Sequence, residues 1–128
     1  MIDIKYNIKI NDFFELYNIA INESNQEVIK DIYENLGKYI STYKLVYDMI
    51  TRSSNFGTNL LIDYLNAEDV NNTMKNIGAK NMKVLRGVGD LKAFDLGLSN
   101  TTTAADLLII YEKLAMGEIV NNESSNKM

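Results

Sequence analysis

The sequence predicts an all-α fold: a compact multi-helix bundle with a short extended N-terminal segment and one long irregular loop. Three observations carry this. Apolar residues recur at helical spacing in several separate stretches, most of them opened by a Ser, Asn or Thr cap and closed by Gly. No proline occurs in the 128 residues, and several of the seven glycines fall where those stretches end. Strict polar–apolar alternation, the mark of a strand, is confined to the beginning of the chain. No internal repeat is present, so residues 1–128 read as a single helical domain of ordinary size.

Residues 1–23 form an extended or irregular lead-in. Ile2, Ile4, Tyr6, Ile8 and Ile10 alternate with Asp3, Lys5, Asn7 and Lys9, as in a half-buried strand. Such a strand needs a partner or a surface to lie on, and no strand of similar quality follows, apart from a short piece at Leu16 to Ile21. Ser24 with Glu27 forms a capping-box signature. Val28, Ile29, Ile32, Tyr33 and Leu36 then make one apolar face, and Gly37 supplies a left-handed stop. Ser41 opens the next helix, with Tyr43, Val46, Tyr47 and Ile50 expected along its buried stripe. A polar turn, Ser53-Ser54-Asn55, leads into a central helix carrying Phe56, Leu60, Leu61, Tyr64 and Leu65. Asn66 with Asp69 starts another helix, with Val70, Met74 and Ile77, and Gly78 ends it.

From 79 to 100 the periodicity fails, and Gly87, Gly89 and Gly97 interrupt scattered apolar residues. Loops of this length inside compact domains are often functional. A strong helix then begins near Thr103, which can cap it while Asp106 returns the favour. Ala104, Leu107, Leu108, Tyr111, Leu114 and Ala115 are expected to face inward, and Gly117 to close the helix. The polar tail, 118–128, is expected to be loose.

Composition excludes several functions. The net charge is −4 and the pI about 4.8, with no basic cluster, so no nucleic acid partner is expected. Cysteine and histidine are both absent. That removes disulfides, thiol nucleophiles, the commonest metal ligands and the usual neutral-pH base. No cofactor and no metal are expected, and any chemistry must use hydroxyls, amides, lysines or carboxylates. No apolar run approaches the ~18 residues of a membrane span, so no membrane partner is expected. The start lacks the layout of a signal peptide, and localisation stays open.

The Ser53-Ser54-Asn55 junction is the candidate site. One reading has Ser54 capping the central helix and Asn55 serving its first amides. The other has a hydroxyl and a carboxamide projecting from a rigid helix start, still enough to act on a substrate. Arg52-Ser53-Ser54-Asn55-Phe56-Gly57-Thr58-Asn59-Leu60-Leu61-Ile62 resembles the Ser-Asp-Asn helix start of class A β-lactamases and their penicillin-binding relatives. Downstream, Phe94-Asp95-Leu96-Gly97-Leu98-Ser99-Asn100-Thr101-Thr102-Thr103-Ala104 resembles the end of that family's Ω-loop and the start of the following helix. The resemblance runs from about Gly37 to Gly117 and implies the helical subdomain of that serine hydrolase family, with 79–100 as an Ω-type loop. It implies that Ser53 is the proton relay to the lactam nitrogen. It also implies that Asn55 binds the substrate's side-chain amide and helps orient the catalytic lysine. The substrate would be a β-lactam, opened through an acyl-serine in the intact parent.

Departures qualify that inheritance. The family's nucleophile stands in a Ser-x-x-Lys motif, and the resemblance places that motif upstream of this stretch. Here only Ser41-Thr42-Tyr43-Lys44 fits the letters, and Ser41 reads as a helix cap. The Lys-Thr-Gly strand that holds the substrate carboxylate is missing. The general-base glutamate aligns with Gly89, which has no side chain. The sequence therefore reads as an excised or naturally truncated helical subdomain that is inactive alone. The alternative is a non-catalytic interaction module that self-associates through the apolar face left by the missing subdomain. The resembled family is exported.

Overall fold

The computed structural model describes residues 7–9 and 26–128. Among the described residues the order is β1 (Asn7–Lys9), α1 (Gln26–Asn35), β2 (Tyr39–Ser41), α2 (Thr42–Arg52), α3 (Asn55–Leu65), α4 (Ala67–Ile77), α5 (Leu91–Asp95), α6 (Ala104–Ala115) and α7 (Asn122–Lys127). Helices make up nearly all of the regular structure, so the domain is all-α as predicted.

Local chemistry fixes the helix starts. The first turn of a helix leaves N–H groups without intrahelical acceptors, and side-chain oxygens fill that need. The Ser41 hydroxyl accepts from the Lys44 N–H at 3.2 Å, and Ser54 accepts from Gly57 at 3.1 Å. The Asn66 carboxamide accepts from Glu68 at 3.0 Å, and Thr103 accepts from Asp106 at 3.1 Å. Gly78 ends α4 at φ +104°, a left-handed backbone that a side chain would strain.

Within the alternating start, Asn7–Lys9 has a partner strand. β1 pairs antiparallel with β2, with Ile8 opposite Ile40. At three residues β2 is too short to show alternation, which is why no partner was visible in the sequence. The rest of the lead-in, including Leu16 to Ile21 and the Ser24 cap, lies outside the described residues. So do the side chains of Val28, Ile29 and Ile32.

The core sits where α2 crosses α3. Leu45, Phe56, Leu60 and Leu61 are buried there, and full burial of such a side chain is worth ~1.5–3 kcal/mol each. Gly57 lets the two backbones touch: a Cβ built there would lie 2.9 Å from the Leu45 carbonyl oxygen. That contact turns α2 about its axis relative to expectation. Thr42 and Leu45 face α3, while Tyr43, Tyr47 and Ile50, expected to be buried, are 51%, 52% and 59% exposed. The central helix likewise buries its first half and exposes Tyr64 and Leu65. On α1, Tyr33 and Leu36 are exposed.

Helix α6 corrects a second expectation. Its buried residue is Asp106, whereas Leu107, Leu108 and Tyr111 are exposed and Leu114 is half-buried. Asp106 does not return the cap of Thr103. Its carboxylate accepts from the Asn81 N–H at 2.8 Å and faces the Asn81 side-chain amide at 3.4 Å. The tail is not loose but forms α7. Asn121 caps it by accepting from Ser124 at 2.8 Å, and Ser124 and Ser125 are buried. The Ser125 hydroxyl donates to the Ile119 carbonyl at 2.8 Å and accepts from its N–H at 3.2 Å. A polar run reads as loose because it has no apolar stripe; here hydroxyls anchor it instead.

Candidate functional site

The corner between α2 and α3 separates the roles of three adjacent polar residues. Ser53 follows the last residue of α2 in the left-handed region, at φ +52°, and its side chain is exposed. The N–H groups of Ser53 and Ser54 both turn back onto the Asp48 carbonyl. The Ser54 hydroxyl is occupied as the α3 cap, and its carbonyl accepts from the Thr58 hydroxyl at 2.8 Å. Asn55 is the first residue of α3 and half-buried. Ser54 therefore takes the capping role, leaving the Ser53 hydroxyl and the Asn55 carboxamide at the corner.

Asn59 connects this corner to the 79–100 loop. It stands one turn after Asn55 on the same helical face, and side chains so spaced are ~5–6 Å apart at Cβ. Asn59 is buried. Its carboxamide accepts from the Val88 N–H at 2.6 Å and donates to the Val88 carbonyl at 2.9 Å. Gly87 permits this approach, since a Cβ there would lie 3.0 Å from the Asn59 oxygen. The loop residue fastened to α3 is thus Val88, and Gly89 follows it in a turn at φ +82°.

Further clamps hold the same loop. Asn71 of α4 accepts from the Val84 N–H and donates to the Val84 carbonyl, both at 2.7 Å. Asn100 accepts from Leu85 at 2.7 Å and Arg86 at 3.1 Å, and donates to the Arg86 carbonyl at 2.9 Å. Lys83 and Thr101 exchange backbone hydrogen bonds at 2.8 and 2.9 Å. The loop expected to be irregular also contains α5, capped by Asp90, whose carboxylate accepts from Ala93 at 2.9 Å. The Arg86 guanidinium lies 5.3 Å from the Phe94 ring centre and donates to the Gly87 carbonyl.

Charged groups near the corner are paired. Asp48 accepts from the Lys44 ammonium, and the Arg52 guanidinium stands 3.9 Å away. The hydroxyl of Ser41 faces the backbone of Lys44 rather than its ammonium. Two hollows lie nearby. One, of about 210 Å³, is polar and lined by residues including Asp31, Lys44, Asp48, Arg52 and Ser54. The other, of about 550 Å³, is an apolar groove of Tyr43, Val46, Tyr47, Ile50 and the end of α7. Neither is lined by Ser53, Asn55 or Gly89. Of the sequence-predicted residues, Ser53 and Asn55 share one corner, and Gly89 is joined to it only through Val88 and Asn59. The clamping roles of Asn59, Asn71 and Asn100 were missed. The available signal was Asn59, an amide at a position the helical period assigns to the core.

Among curated proteins, none matches the chain. The family model described as the Beta-lactamase enzyme family matches residues 16–128.

Proposed function

We propose that this chain, which belongs to the β-lactamase enzyme family, forms one wall of a class A-like β-lactam cleft. In this reading the Ser53 hydroxyl and the Asn55 carboxamide face the substrate, and the 79–100 segment acts as the Ω-type loop. The observation that best supports it is the Asn59–Val88 pairing, which holds the loop one helical turn from Asn55. A relay hydroxyl needs a fixed position and freedom from competing bonds. The α2–α3 corner supports the reading in two ways: the Ser53 and Ser54 N–H groups hold the backbone on the Asp48 carbonyl, and Ser54, not Ser53, carries the capping duty.

The wall does not by itself open the ring. In the family, acylation requires a serine activated by a lysine. In Ser41-x-x-Lys44 the hydroxyl caps α2 and the ammonium is paired with Asp48. Deacylation requires a carboxylate beside the bound ester. In this reading the loop would bring Val88 and Gly89 to that place, neither of which has a carboxylate, and the Asp90 carboxylate is engaged as the α5 cap. The purified chain is therefore expected to give no nitrocefin turnover above buffer. Measurable turnover, abolished by Ser41→Ala, would overturn the inactive reading and make Ser41 the nucleophile.

A second reading is favoured by the groove on α2, where Tyr43, Tyr47 and Ile50 are more than half exposed. Apolar area of this kind marks contact surfaces, and we assign it to a second copy of the chain. Sedimentation velocity distinguishes the two: a dimer supports the module role, and a monomer at high concentration removes it.

A further inference from the structure

We propose that Asn59, Asn71 and Asn100 are positioning residues that hold residues 84–88 as one preset wall, which opens as a unit and not residue by residue. The functional meaning of that wall rests on the cleft reading above; its existence does not. Every second residue of the segment is gripped at both its N–H and its carbonyl: Val84 by Asn71, Arg86 by Asn100 and Val88 by Asn59. The three carboxamides come from three places in the chain: α4, the stretch before α6, and α3. Their partners lie 13, 14 and 29 residues away.

The chemistry demands an amide at each position. A carboxamide can accept and donate at once, as a backbone peptide does, whereas an ionised carboxylate can only accept. Apolar burial is a weaker candidate for what holds the segment, because Leu85 is exposed and Val84, Arg86 and Val88 are only half-buried. Segments with few buried contacts ordinarily open locally. Here each clamp fixes the reach of the next along a span of five residues, so one cannot release without loosening its neighbours.

Residue-resolved amide hydrogen exchange on the full chain tests this. In the wild type, the Val84, Arg86 and Val88 amides should share one protection factor. Asn71→Ala removes two hydrogen bonds and should lower all three by a common factor of about thirty. Asn71→Asp, almost the same size, should fall as far at neutral pH. Should Asn71→Ala fail to fold, Asn100→Ala, at an exposed position, should give the same joint fall at Val84 and Val88. Asn72→Ala, on the exposed side of α4, should change nothing. A fall confined to Val84 would show independent clamps and overturn the proposal. So would an Asn71→Asp chain with wild-type protection, because side-chain volume alone would then explain Asn71. Nitrocefin turnover would sink the inactive-wall reading and leave this exchange pattern untouched.

Discussion

At the scale of single residues, Asn55 and Asn59 are chemically identical and separated by one turn, yet their surroundings assign them different work. Asn59 is 7% exposed and satisfied by both polar groups of Val88. Truncating it leaves the part-buried N–H and carbonyl of Val88 unpaired, and a group so stranded costs ~1–3 kcal/mol. Asn59→Ala should therefore lower the urea-unfolding free energy by about 2–4 kcal/mol. Asn55 is half-buried at a helix start, and Asn55→Ala should cost under ~1 kcal/mol. Equal losses at the two positions would argue that Asn55 is structural and not reserved for a ligand. The resemblance to a known motif drew attention to Ser53 and Asn55. It did not reveal Asn59, because a clamp shows itself only when its distant partner is in place.

At the scale of elements, helix starts were the most legible feature of the sequence. Ser41, Ser54, Asn66 and Thr103 all cap as their positions suggested, because the acceptor and the N–H it serves lie within three residues of each other. Helix α7 was not legible, since its anchors are hydroxyls and a tight turn, with Gly117 lying against Asn122. It also carries a pH dependence. The Glu123 carboxyl is held below its ordinary value, first by the hydrogen bond from Lys127 and then by the ammonium charge. A carboxyl with a depressed folded-state pKa contributes stability above its unfolded value and loses it as pH falls through the folded one. Acidification through the low end of the glutamate range should thus loosen the end of α7, seen as a drop in the helical Cα shifts of Glu123 to Lys127. Glu123→Gln should remove that dependence; an unchanged profile would show that the pair contributes nothing.

At the scale of the whole molecule, the buried apolar set is small for the number of large apolar side chains present. Leu45, Phe56, Leu60, Leu61 and Ala79 are enclosed among the described residues, while Tyr47, Ile50, Leu108 and Tyr111 are not. The α2 groove gathers several of these side chains, with Tyr43 and Tyr47 stacked at 6.4 Å between ring centres. If a second copy covers it, Tyr47→Lys should shift the sedimentation coefficient to that of a monomer without lowering the helix signal. A dimer that survives the substitution would place the contact elsewhere.

The sequence by itself determined where the longer helices begin and stop, because caps and left-handed glycine stops act over three or four residues. It also set the chemistry available, since a chain without histidine or cysteine works through hydroxyls, amides and ions. Tertiary structure alone decided which face of each helix is inside. Helical spacing marks an apolar stripe but does not say what will lie against it, and the close approach at Gly57 turned α2 toward Leu45 and away from its tyrosines. The fastening of the loop was decided there too, since an asparagine in a sequence does not announce which carbonyl, 13 or 29 residues away, will receive its amide.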